Sequence, residues 1–238
     1  MSCWALIPIK TLSLGKGRLA GALSPAERQR LIRKMLDRVL AALTASRLVE
    51  GIAIVTPECR ALAGKATLLP DRGAGLNGSI ADAAQSLAAF GATELLVLHG
   101  DLPLVNRVEI DRIITLGRST GLALAPDRRR QGTNAIYLQP DSGFEFRFGT
   151  HSFASHQAEA ARCGLRPTVV DLPGLAFDVD EAPDLDLLGD LLVDLREGAK
   201  MSPQVSTQMR TQDFPINSRS VPIWQPVQPE YSLMHARD

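Results

Sequence analysis

Cysteine is scarce in this chain. Cys3, Cys59 and Cys163 are scattered through 238 residues, which suits neither a disulfide framework nor a zinc site with paired ligands. Net charge is lacking too, since 26 basic residues balance 26 acidic ones. Bulk electrostatics therefore give no reason to expect nucleic acid or an anionic membrane as partner, and any basic site must be local. No apolar run is long enough to span a bilayer. The opening "WALIPI" is too short for the apolar core of a signal peptide, so a cytoplasmic protein is expected. The four histidines lack any nucleophile-elbow context, and no G-x-x-x-x-G-K-[ST] occurs, which argues against a hydrolase triad and against a Walker loop.

What is present is an alternation. Apolar runs at 3–9, "GIAIVT", "ATLLP", "ELLVLHGDLPLV", "GLALAPD", "TNAIYL" and "RPTVVDL" read as strands. Between them, "SPAERQRLIRKMLDRVLAAL", "RVEIDRIITLG" and "SFASHQAEAARCG" read as helices, and "GLNGSIADAAQSLAAFG" as a Gly-rich loop running into a fourth. Ser24, Pro25 and Glu27 form a helix-start signature with a capping box. Leu31, Met35, Leu36, Val39, Leu40 and Leu43 recur at helical spacing behind it. "FDVDEAPDLDLLGDLLVDLREG" is expected to carry a short strand into a last helix. The pattern implies an α/β, Rossmann-like, mostly parallel sheet with helices on both faces, and sites at the carboxyl ends of its strands. The domain is expected over 1–198. Residues 199–238, rich in Pro, Ser and Gln, are expected to be a mobile tail, with Trp224 and Tyr231 able to dock on a surface.

The stretch "IPIKTLSLGKGRLA" contains G-x-G-x-x-A, which can mark a dinucleotide turn. The helix signal at Ser24 lies several residues past Gly17, and no acidic residue ends the second strand at the required distance. Lys10, Lys16 and Arg18 crowd the loop instead. With Gly15 and Gly17 as hinges, three cations at a strand exit can wrap a triphosphate. The plainer reading is a solvated basic loop.

Carboxylates stand at other strand exits. Asp101 follows "LLVLHG", and Asp178 and Asp180, two apart in an extended stretch, point to one side. The three suit an all-oxygen Mg²⁺ site completed by substrate phosphates. As plainer readings, Asp101 caps the next turn and Asp180 caps the last helix. Asp184, Asp186, Asp190 and Asp194 read as a solvated helix face, and His99 as a packed core residue. A cationic loop beside a carboxylate-held metal suggests phosphoryl or nucleotidyl transfer.

The ordered segments "IPIKTLSLGKGRLA", "LNGSIADAA", "LVLHGDLP", "APDRRRQGTNAIYL", "FRFGTHSFASH" and "FDVDEAPDL" resemble the guanylyltransferases of deazaflavin coenzyme F-420 biosynthesis, relatives of the molybdenum-cofactor guanylyltransferases. The resemblance spans roughly residues 4 to 190 and leaves out the tail. It implies that GTP, with Mg²⁺, condenses with 3-phospho-D-glycerate, phosphoenolpyruvate or 2-phospho-L-lactate, releasing pyrophosphate. Lys10, Lys16 and Arg18 would hold the triphosphate, and Asp101, Asp178 and Asp180 the metal. Asn77, Gly78 and Ser79 would receive guanine and ribose. Thr133, Gly149 and Ser152 would receive the acceptor carboxylate, with an N-cap the plainer role for Ser152. A homodimer is compatible with this reading, and the product would pass to a downstream transferase. His151, Phe153 and His156 near the acceptor site would suit an acid with an extra hydroxyl, such as 3-phosphoglycerate. Two alternatives stand: a sugar- or molybdenum-cofactor-type nucleotidyltransferase, whose "LAGGxSxRMG"-like opening is missing, and a non-catalytic nucleotide-binding protein.

Overall fold

The computed structural model describes residues 1–9, 16–57 and 66–188. These lie within the compact unit Met1–Met201; a second unit, Ser202–Asp238, falls outside the described residues, as do Lys10, Gly15, Cys59, Asp190, Asp194 and the expected tail.

One seven-stranded sheet is built from β1 (Cys3–Pro8), β2 (Gly51–Thr56), β3 (Thr67–Pro70), β4 (Glu94–Leu98), β5 (Leu122–Pro126), β6 (Thr133–Leu138) and β7 (Thr168–Val169), in the order β3-β2-β1-β4-β6-β5-β7. Its neighbours are parallel except at β6, which runs against both β4 and β5. The connection from Pro126 to Thr133 explains the reversal. It is long enough for a hairpin and too short for a crossover of about a dozen residues. The reversal places the first residue of β6 where its neighbours end: Thr133 pairs with Pro126, and Ala135 with Leu98. Thr133 and the exits of β1, β4 and β5 therefore share one edge of the sheet.

The helices are α1 (Pro25–Ala45), α2 (Gly75–Ala89), α3 (Arg107–Thr120), α4 (Ser152–Arg162), and the short α5 (Pro173–Ala176) and α6 (Ala182–Asp186). Ser24 and Glu27 make the expected capping box before α1. Strand residues alternate between two cores, as the pleat requires. Ala5, Ile7, Ile54, Leu96 and Leu98 pack with α1 and α3 on one face. Leu6, Ala53, Val55, Leu95 and Val97 pack with α2 and α4 on the other. No described helix is long and apolar enough to cross a membrane.

Three local expectations differ. The glycines of "GLNGSI" lie inside the first turn of α2, which starts at Gly75, rather than in a loop before it. "FDVD" is extended but belongs to no strand of the sheet, whose last strand beside β5 is β7. Asp184 is buried, not solvated. Its carboxylate accepts from the N–H groups of Asp180 and Glu181 at 2.9 and 2.8 Å and from Arg128.

A third cluster positions the site. Leu19, Leu23, Leu31, Met35, Phe177, Val179, Leu185 and Leu188 are buried together. It fastens the basic loop, the start of α1 and the "FDVD" segment to one another by apolar burial, about 1.5–3 kcal/mol for each large side chain.

Candidate active site

The third cluster fixes how the described end of the basic loop, from Lys16, is held. Leu19 is fully buried in it, at the end of a single 3-10 turn, Gly17–Leu19. Lys16 precedes that turn in the left-handed region, at φ 57°. A sharp bend is thus made at Lys16 itself, between Gly17, which has no positive φ, and Gly15, which lies outside the described residues. It sends the Lys16 side chain inward and leaves Arg18 at the rim, 73% exposed. Phe177 and Val179 point into the same cluster, so Asp178 and Asp180, alternate in an extended segment, point away from it. Asp101 reaches the same place from β4. There Gly100 packs closely on β1, with room for a Cβ only at 3.4 Å from Ile7.

The Lys16 ammonium bridges Asp101 and Asp180, lying 2.7 Å from Asp180 Oδ1 and in tight contact with Asp101 Oδ2. Burial works against its charge, but the two carboxylates outweigh burial and raise its pKa. Burial likewise opposes the charge on Asp101, and Lys16, with His99, overcomes it and holds that carboxyl below its ordinary value. Asp178 lies beside them and forms no ion pair among the described residues. Burial first, then the charges of Asp101 and Asp180, push its pKa up to about 6. Among the described residues no ready cage of three acidic, His or Cys side chains exists; Lys16 sits between the carboxylates. Asp101 Oδ1, however, is buried with no hydrogen-bond partner among the described residues.

A small cleft opens next to this group, lined by Arg18, Arg128 and Arg129 together with Asp178, Asp180 and Glu181. Arg129 binds Glu181 at 3.0 Å, and Arg128 binds Asp184 at 2.5 Å with its guanidinium 4.4 Å over the Phe177 ring. "DRRRQG" thus forms a wall of this cleft, a role the sequence did not assign to it.

The remaining expected residues form a second group. The Thr133 N–H donates to Ser152 Oγ at 2.9 Å, and Thr133 Oγ1 lies 2.9 Å from His156 Nδ1. Ser152 opens α4 rather than capping it; the cap position is His151, at φ 56°. Gly149 turns the chain into the helix at φ 140°, a backbone that a side chain would strain. The Asn77 amide is committed to the backbone of Phe148, donating to its carbonyl at 3.0 Å and accepting its N–H at 2.7 Å. The Ser79 hydroxyl is 2.5 Å from Asp71 Oδ1 and 2.8 Å from the Gly75 carbonyl. A Cβ on Gly78 would come within 2.6 Å of that of Ala74, so only glycine fits this first turn. The two groups meet at His99, whose ring stands edge-on to Phe148 at 5.3 Å. Asn77 and Gly78 also line a wider cavity between α2 and residues 138–147 that contains none of the three aspartates.

Sequence reasoning passed over the packing of three phenylalanines, and it placed His156 by the acceptor site without its burial. Phe144, Phe146 and Phe148 are buried alternately against the α2–α4 core, and "FEFRF" carried that signal in its alternation. His156 is fully buried, and a lone histidine on a helix carried no signal of its engagement. Both its nitrogens are in use, since Nε2 accepts the Arg147 N–H at 2.9 Å. It therefore has nothing to offer the extra hydroxyl of a substrate.

Residues 3–197 match the family described as "Guanylyl transferase CofC like". A phosphoenolpyruvate guanylyltransferase of Sphaerobacter thermophilus is 40% identical over 192 residues, covering 79% of this chain and 93% of that one. One from Chloroflexus aggregans is 37% identical over 190 residues, covering 75% and 93%. In fold, the chain resembles a solved structure from Desulfovibrio desulfuricans G20 whose assignment as a nucleotide-diphospho-sugar transferase is itself provisional. The TM-score is 0.68 at 18% identity, over 83% of this chain and 98% of that one.

Proposed function

Because the chain belongs to the CofC-like guanylyl transferase family, we propose that it joins GTP to a three-carbon phospho-acid, phosphoenolpyruvate or 3-phosphoglycerate before 2-phospholactate. The names of its relatives support phosphoenolpyruvate. A phosphate oxygen of the acid attacks the α-phosphorus of GTP. The bond from that phosphorus to the bridging oxygen breaks, pyrophosphate leaves, and a guanosine diphosphate-linked acid remains. That product would enter coenzyme F-420 synthesis through a downstream transferase. The attacking oxygen is already anionic near neutral pH, so no strong general base is needed.

One observation carries the reading: Lys16 converges on Asp101 and Asp180, with Asp178 beside them. Three carboxylates against one ammonium leave an excess charge that matches a divalent cation. Their hard oxygens, including the buried Asp101 Oδ1, suit Mg²⁺. A magnesium ion held by Asp101, Asp178 and Asp180 would neutralise triphosphate charge. Lys16 exchanges its carboxylate partners for phosphate oxygens, and Arg18 closes from the rim onto the leaving pyrophosphate; Lys10 would join them. Thr133, Gly149 and Ser152 receive the acceptor carboxylate. Asn77, Gly78 and Ser79 shape the guanosine side through backbone and bulk, since the Asn77 and Ser79 side chains are committed elsewhere.

The test is pyrophosphate release from GTP, ATP or CTP against each phospho-acid, with and without Mg²⁺. Release is expected with GTP and phosphoenolpyruvate or 3-phosphoglycerate, and to be lost in Asp101→Ala. No release with any of the three acids would refute the acceptor class. Turnover surviving in Asp101→Ala would refute the metal assignment.

A further inference from the structure

The partners of His156 fix more than its own position. His156 and Ser152 stand one turn apart on α4, so both meet Thr133 from the same helix face. The Arg147 backbone N–H can only donate, so His156 Nε2, 2.9 Å away, must present a lone pair. In the neutral ring the proton then resides on Nδ1, which faces Thr133 Oγ1 at 2.9 Å. Thr133 Oγ1 therefore accepts, and its own hydrogen must point elsewhere. Ser152 Oγ accepts the Thr133 N–H in the same way and keeps its own hydrogen. Neither hydroxyl hydrogen has another acceptor among the hydrogen bonds of the described residues. Two O–H donors thus remain on two residues that the Thr133 N–H joins, each only 3% exposed, and two donors match the two oxygens of a carboxylate.

We infer that His156 is a positioning residue of the acceptor site: its imidazole holds the Thr133 hydroxyl as a hydrogen-bond donor toward the carboxylate of the phospho-acid. The inference rests on the acceptor-site reading of Thr133 and Ser152 given above. It assigns no contact with substrate to His156 itself, whose ring is completely buried. The same burial, with the nearby His99, lowers its pKa to about 4, so the ring stays in the neutral form this arrangement needs.

The experiment measures KM for phosphoenolpyruvate, KM for GTP and Tm in the full chain with Mg²⁺, for Thr133→Val, His156→Asn, His156→Gln, His156→Leu and the Thr133→Val/His156→Leu double variant. Asn can return an amide N–H to the Nδ1 position, whereas Gln reaches the Nε2 position and restores only the acceptor for Arg147. The expected result is a rise in phosphoenolpyruvate KM of roughly tenfold or more for Leu and Gln, the scale of one hydrogen bond to a charged group. Asn should remain close to wild type, GTP KM should stay unchanged throughout, and the double variant should be no worse than Thr133→Val. If Thr133→Val leaves the phosphoenolpyruvate KM unchanged, the acceptor site is elsewhere and the inference falls with it. If Thr133→Val raises that KM but His156→Leu does not, or moves both KM values together, the inference alone falls. Should the Leu variants fail to fold, Asn against Gln decides, and equal KM values for those two overturn it.

Discussion

Lys16 holds two costs at once: a left-handed backbone at φ 57°, unfavourable for a side chain, and an ammonium only 10% exposed. Both are met by Asp101 and Asp180. Lys16→Met removes the compensation and leaves three carboxylates crowded together. The nucleotide-free variant is expected to melt several degrees lower than wild type and to lose turnover. Added Mg²⁺ should raise its Tm more than it raises that of wild type, because a cation binding only the folded form then replaces the missing ammonium. Thermal melts with and without Mg²⁺ check this. Asp178 supplies the complementary test. Its folded pKa of about 6 lies above the ordinary 3.8, so its ionised form costs stability. That cost is full above about pH 6 and vanishes as pH falls toward 3.8. Asp178→Asn should therefore raise Tm at pH 7.5, change it little at pH 4, and lower turnover. A Tm that rises equally at both pH values would contradict the linkage.

At the scale of elements, the site is held by packing that lies behind it. Phe177 and Val179 bury one side of an extended segment outside the sheet and thereby aim Asp178 and Asp180. Phe177→Ala opens a cavity and removes the platform under Arg128, 4.4 Å from the ring. A loss of about 3 kcal/mol is expected from denaturant unfolding. Turnover per folded molecule should also fall, since the carboxylates lose their anchor. If turnover fell only in proportion to the folded fraction, the cluster would be structural alone. Local signals made several elements readable: the capping box at Ser24, the helical spacing from Leu31 to Leu43, and the apolar runs of β1, β2 and β4. "FDVD" was read as a strand because its alternation is that of a strand. The alternation is real, but the apolar side meets Leu19 and Met35 rather than a sheet core.

For the whole molecule, the family match ends at residue 197. A chain truncated after residue 198 is expected to keep its turnover within about twofold, because the family match does not extend into residues 199–238; steady-state rates on the purified fragment check it. The sequence by itself determined the α/β class and most of the strand and helix order, and it singled out the carboxylates and cations expected to form a site. Those properties depend on local pattern and on the rule that parallel strands end where ligands bind. Only the tertiary structure decided which charges face one another. Lys16, Asp101 and Asp180 are separated by 85 and 164 residues along the chain for the two contacts that Lys16 makes. No spacing encodes those contacts. The same holds for Thr133 and His156, joined because a short hairpin reverses β6 and sets its first residue against α4. Pattern fixes which face of an element is apolar, whereas partners across the fold are chosen by the packing of those faces, which no single segment contains.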